Sequence, residues 1–411
     1  MSGRTSVGRV SDLEYDVEHV RRQFPAVASG LAFFDGPGGS QTPTVVAERM
    51  SEVMLAGLSN RDRGTPTGRR ADDIVVQARM AMADLLGSEP ETVVFGRSMT
   101  ALTYDLARTL SQHWAPGEEV VVTSLDHDAN VRPWVQAAQA RDVVVRWAHF
   151  DPHSAELPPE EIIALLTERT RVLALTAASN VLGTRPDLSR VIAAAHEVGA
   201  LVVVDAVHLV PHAAADLASW DADIVLCSPY KFFGPHLGVL AGRAELLASL
   251  RPDKLLPSPD RVPERFELGT LPYEMLAGTQ AAVDFLAGLA SPAEGTRRQR
   301  LLASYRVLET YEQSLLQRLE AGLDRIGGLV RYSTAVHRTP TCYFALADRP
   351  CAEVSAVCAS AGLNVPASHF YAIEASRRLG LGDTGALRAG MAPYITEAEV
   401  DRLLEAVAAA A

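Results

Sequence analysis

The chain has 411 residues, of which 48% are hydrophobic and 21% charged, with a net charge of −12. That length exceeds one simple core and suits two or more lobes of ordinary globular composition. The acidic balance argues against a nucleic-acid or anionic-membrane surface, and no apolar run reaches transmembrane length.

In chain order, the N-terminal segment to about Ser29 reads as a helical arm without the apolar core of a signal peptide. "LAFFDGPGGSQTP" (Leu31 to Pro43) is a short strand breaking into a Gly-rich turn. "GRRADDIVVQARMAMADLLG" has a helical pattern. "ETVVFGRSMTALTYDLARTL" is a strand, a turn and a helix, and "EEVVVTSLDHDANVRPWVQAAQA" repeats that order. So does "RVLALTAASN" with "DLSRVIAAAHEVGA", which leads into "LVVVDAVH". Uniformly apolar strands alternating with helices predict a mostly parallel sheet covered on both faces. "SPAEGTRRQR" (Ser291 to Arg300) changes the texture, and a long helix with mixed strand and helix follows. We therefore expect an N-terminal arm over 1–30 packing with the small domain, a large α/β domain over 31–290 and a smaller α+β domain over 291–411. The four cysteines, Cys227, Cys342, Cys351 and Cys358, lack metal-ligand spacing. Their low number suits free thiols in a reducing cytoplasm, and no metal site is expected.

In open parallel sheets, ligands sit beyond the carboxyl ends of the strands. At those ends stand Thr100, His127, Asn180, Asp205 with His208 three residues on, and Ser228 with Lys231. Singly, each has a plain structural explanation. A lysine snorkels, a threonine caps a helix, an asparagine holds a turn, a histidine fills a core. Jointly, they suit pyridoxal phosphate (PLP) chemistry, in which a lysine carries the cofactor and an acid pairs with the pyridinium nitrogen. On that reading Lys231 and Asp205 take those parts, His127 stacks on the ring, and Asn180 and His208 bond its hydroxyl. The helix start at Met99–Thr100, with Ser228, takes the phosphate.

"VVVDAVH…DADIVLCSPYKFFGPHLGVLAGR" resembles the class V aminotransferase family of fold-type I PLP enzymes, in particular its cysteine-desulfurase-like branch. "SNVLGT", "LDHDANVRPW" and "FELGT" are similar to motifs of that family, and the resemblance runs roughly from Leu31 to Leu404. It implies a large domain with a seven-stranded-type sheet between helices, and Lys231 as the Schiff-base lysine. It implies that Thr270 reaches the phosphate of a neighbouring subunit in a homodimer, and that Arg388 pairs with the carboxylate of a small amino-acid substrate. A guanidinium fork fits such a carboxylate bidentately. The Gly-rich turn with Gly39 and Ser40, and the loop with His369 and Tyr371, are expected to border the substrate. Tyr230 stands where many relatives carry histidine, and is kept as a phosphate contact; His208 stands where many carry glutamine. The stretch "NVPASHFYAIEAS" (Asn364 to Ser376) has no cysteine, where desulfurases carry the one that accepts sulfur.

The expected activity is therefore C–S bond cleavage by β-elimination on a cysteine-like, S-conjugated L-amino acid, in a natural-product tailoring role. Decarboxylating deamination, transamination, epimerisation and cysteine desulfuration use the same apparatus. A PLP-free scaffold on the same fold is the expectation from a different class, and the set Lys231, Asp205 and His127 argues against it.

Overall fold

The computed structural model describes residues 15–291 and 294–411; the first part of the expected N-terminal arm, 1–14, lies outside the described residues. The first strand, β1 (Ala32–Phe33), is short. Seven strands then build the main sheet: β2 (Val93–Gly96), β3 (Glu119–Thr123), β4 (Val144–Ala148), β5 (Thr170–Thr176), β6 (Leu201–Asp205), β7 (Ile224–Cys227) and β8 (Gly238–Gly242). Their order is β2-β8-β7-β6-β5-β3-β4. From β7 to β4 every pairing is parallel, while β8 is antiparallel to both its neighbours. The exception has a simple cause. The connection 228–237 between β7 and β8 is too short for the crossover that a parallel return needs, so the chain doubles back.

Strands β3, β7 and β8 are buried throughout, whereas the edge strand β4 is partly exposed. Valines and leucines dominate because both faces are covered. Val203, Ile224 and Leu226 pack on one face with Leu102, Leu106 and Trp134. Val202, Val204, Val225 and Cys227 pack on the other, in the larger core.

The helix Arg297–Leu323 starts at a capping box formed by Thr296 and Gln299. Five further strands follow: β9 (Leu329–Arg331), β10 (Thr341–Leu346), β11 (Leu363–Asn364), β12 (Ala367–Ser368) and β13 (Ala386–Gly390). Four of them form an antiparallel sheet in the order β12-β13-β10-β9. The fifth, β11, pairs in parallel with β1, and Asp35 bridges to Gly390. At the start of the described chain the Tyr15 hydroxyl donates to the Pro393 carbonyl, and Arg21 pairs with Glu399 at 2.7 Å. Among the described residues no helix is long and apolar enough to cross a membrane.

Candidate active site

The parallel strands deliver their polar ends to one place. After β2 the chain turns into the helix Met99–Ser111, capped by Ser98, whose hydroxyl accepts from the Ala101 N–H at 3.1 Å. Thr100, for which capping was the plain structural explanation, is the second helical residue. The first-turn N–H groups lack intrahelical partners and carry the positive end of the helix dipole. β8 begins directly against this turn. A side chain at Gly238 would place its Cβ 2.2 Å from the Ser98 carbonyl carbon, so only glycine allows the approach.

After β3 comes a tight buried turn. Asp126 accepts from the Thr123 hydroxyl and from the Asn130 amide, the latter at 2.8 Å. Burial raises its pKa to about 7, and the neighbouring Asp205 adds to the rise. This turn fixes His127, whose Nδ1 accepts from the Ala129 N–H at 3.0 Å. Burial, then Lys231, Arg388 and His369, pull the imidazole down to about 3, so it is neutral.

Asp205 ends β6 and is buried, with Oδ1 accepting from the Val207 N–H at 2.8 Å. Burial raises it to about 6, against the pull of that N–H and of Lys231. His208 follows, its Nε2 held 3.0 Å from the hydroxyls of both Thr339 and Thr341. Burial holds it well below the usual imidazole range. Lys231 lies in the turn after β7, and its Nζ donates to the Pro37 carbonyl. Burial and the nearby Arg388 lower its pKa to about 7, with Asp35 and Asp205 opposing. An amine in that range is in part neutral at physiological pH, the state in which it is a nucleophile and a base.

One cavity is lined by Met99, Thr100, His127, Asn180, Asp205, His208, Ser228, Tyr230 and Lys231. Those are nine of the ten residues expected to hold or activate a cofactor. The tenth, Thr270, is exposed and lines neither this cavity nor the one beside it.

A wider adjoining cavity shares Thr100, His127 and Tyr230 with the first and adds Arg388, Asp35, Gly38, Tyr104, Arg132, Phe370 and Tyr371. Here the expected substrate residues divide. Arg388 and Tyr371 line it; Gly39, Ser40 and His369 do not. The Ser40 hydroxyl is committed, donating to the Tyr230 carbonyl at 3.1 Å and accepting from the Phe233 N–H at 2.8 Å. His369 instead accepts from the Tyr371 N–H at 3.0 Å. Tyr371 stacks on His127, with ring centroids 5.5 Å apart. Phe370 and Tyr371 both have positive φ, 49° and 60°, a costly geometry in two consecutive non-glycine residues. Two bonds hold it: Asn180 Nδ2 donates to the Phe370 carbonyl at 2.9 Å, and the Asp128 N–H to the Tyr371 carbonyl at 2.8 Å. Arg132 was not singled out in the sequence, and Phe370 only as part of the loop expected to border the leaving group. The only signal for Asp35 was its place at the head of the Gly-rich turn.

The first cavity fits PLP. It offers a largely desolvated lysine, a buried carboxylate for a ring cation, and a helix N-terminus with Thr100 and Ser228 for an anion. His208 Nδ1 and Asn180 Oδ1 are buried there without a partner, and buried polar atoms call for one.

Comparison with known proteins agrees. An uncharacterised protein of Mycobacterium tuberculosis is 32% identical over 397 residues, covering 96% of this chain and 99% of that one. A cysteine desulfurase of Dickeya dadantii is 29% identical, with 95% of each chain covered. The crystal structure of the cysteine desulfurase CsdA from Escherichia coli superposes with a TM-score of 0.84 at 27% identity, over 97% of this chain and 98% of that one. Residues 32–403 match the family Aminotransferase class-V. The chain thus belongs to the class-V aminotransferases, a PLP-dependent family of fold-type I.

Proposed function

We propose that this chain cleaves the C–S bond of an S-substituted L-cysteine by β-elimination. One observation carries the choice. Cys227, Cys342 and Cys358 are buried and Cys351 is half-buried, and none lines either cavity. Burial raises the pKa of all four thiols, whereas a sulfur acceptor must be a reachable thiolate. The leaving group then departs as a free thiol.

When bound, PLP supplies an electron sink for negative charge at Cα. The chain's own residues do the rest. Lys231 would hold the cofactor and, as its neutral amine, would take the Cα proton. Asp205 would balance the ring cation, His127 would cover the ring, and His208, Asn180, Thr100 and Ser228 would hold its polar groups. Arg388 holds the α-carboxylate, and Tyr104 and Tyr371 border the S-substituent. The Cα–H and C–S bonds break, the thiolate leaves and takes up a proton, and the released aminoacrylate adds water to give pyruvate and ammonium. Thr270, exposed here, is proposed to reach the phosphate of a second copy in a homodimer.

Product analysis on a panel of L-cysteine S-conjugates tests this. Pyruvate with one equivalent of free thiol is expected, with faster turnover than of L-cysteine itself. An S-linked aldehyde with carbon dioxide, formed with a two-electron oxidant such as dioxygen, would replace elimination by decarboxylating deamination. The likeness to cysteine desulfurases over nearly the whole chain favours a second reading, desulfuration. Alanine with protein-bound sulfane sulfur, from L-cysteine as the best substrate, would establish that reading instead.

A further inference from the structure

Arg388 is fully buried but not uncompensated. Its Nη2 donates to Asp35 Oδ1 at 2.5 Å, and its Nη1 to the Asn180 carbonyl at 3.1 Å. The Phe370 ring centroid lies 3.7 Å from the guanidinium carbon, and Nε is buried without a partner. A buried cation left without a counter-charge is strongly destabilising, and Asp35 supplies that charge.

The arrangement is built in. The bridge from Asp35 to Gly390 sets the two charged residues in register across 353 positions of sequence. A Cβ on Gly38 would lie 2.3 Å from Asp35 Oδ2 and 2.5 Å from Oδ1, so only glycine at 38 leaves room for the carboxylate. The Asp35 side chain is 28% exposed and lines the same cavity as Arg388, so an incoming carboxylate meets both.

We propose that Asp35 is a specificity-determining counter-ion, which occupies Arg388 as an internal carboxylate and sets the affinity for substrate carboxylates by competing with them. This rests on Arg388 being the carboxylate site. The competition keeps stray anions out of the cavity and reserves Arg388 for ligands that also engage the cofactor. Asparagine at 35 keeps the shape and the acceptor oxygen but removes the charge.

The test uses PLP-loaded protein and two probes of equal size, propionate and propionamide, with dissociation constants measured by calorimetry. Asp35→Asn should bind propionate roughly five- to tenfold more tightly, as expected for removing one nearby charge in a partly screened site, with propionamide affinity unchanged. Gly38→Ala, which keeps the charge but displaces the carboxylate, should move propionate affinity in the same direction. Weaker or unchanged propionate binding in Asp35→Asn, while Arg388→Gln abolishes it, would overturn the competition and leave the carboxylate site standing. Native propionate affinity in Arg388→Gln would overturn the carboxylate site itself. If Asp35→Asn does not fold, Gly38→Ala decides alone, and weaker or unchanged binding there refutes the proposal.

Discussion

Replacing Asp205 by asparagine should make the PLP-free protein more stable while disabling the PLP-loaded one. The carboxylate is buried at the end of β6, and burial raises its pKa from 3.8 to about 6. At 1.36 kcal/mol per unit, a carboxyl raised by about two units costs the fold ~3 kcal/mol once ionised. The sign is that of a raised acid. The cost is absent below the unfolded value of 3.8, grows as pH rises, and is complete above about 6. Asparagine carries no charge and still accepts from the Val207 N–H. Asp205→Asn should therefore gain up to ~3 kcal/mol at pH 8, and about half of that at pH 5. With an unfolding entropy of about 2.1 cal/mol/K per residue, the gain at pH 8 corresponds to a rise of about 3 °C in melting temperature. Scanning calorimetry of PLP-free protein at the two pH values reads it directly. The same substitution in the loaded enzyme should lower turnover by roughly a hundredfold or more, since the ring cation loses its partner. If the PLP-free variant melts at or below the native temperature at pH 8, the carboxylate is not held at the expense of the fold, and the argument fails.

Lys231→Ala should stay folded but lose covalent cofactor and turnover; a borohydride-reducible cofactor adduct surviving in that variant would remove Lys231 from its role. Glu267→Ala should destabilise the protein by roughly 3–5 kcal/mol in denaturant melts, because it strands a buried arginine. Glu267 takes Arg79 bidentately at 2.9 and 2.8 Å and also accepts the Phe95 N–H at 3.0 Å, so a loss under 1 kcal/mol would refute the estimate. Replacing Cys342, Cys351 and Cys358 together by alanine should leave the thiol-releasing reaction running in whatever fraction folds; loss of turnover from Cys358→Ala alone, with cofactor retained, would reinstate a catalytic cysteine.

The main sheet was legible because its strands carry a local signal, a Val-rich run ending in one polar residue. Lys231, Asp205, His127, Asn180 and Ser228 could be read for the same reason, since each stands at the end of such a run or within four residues of it. The outer cavity was legible only in part, in Arg388 and the loop with Phe370 and Tyr371, because it is made by contacts across hundreds of residues. Gly39 and Ser40 looked like substrate residues, but the twist of their turn presents Asp35 and Gly38 instead and consumes the Ser40 hydroxyl on the Tyr230 turn. Thr100 and Ser98 are both plausible caps by type. The backbone decides, since Ser98 has the extended φ of −162° that a cap requires. Thr341, which opens β10, and Thr339, in the loop just before it, hold His208, and neither carries a local signal until the two sheets come together.

The pairing of β1 with β11 has a consequence for the birth of the protein. On the ribosome, residues 32 and 33 emerge long before residues 363 and 364, and the Asp35 turn must wait as long for Gly390. Until then the turn that supplies Pro37 to Lys231 and Asp35 to Arg388 has no strand to lie on. Closing so long a loop is slow, and it leaves early apolar surface, such as Phe33 and Phe34, uncovered during synthesis. The nascent chain can therefore complete the main sheet and the inner cavity first. The carboxylate end of the site is assembled only as the last strands arrive.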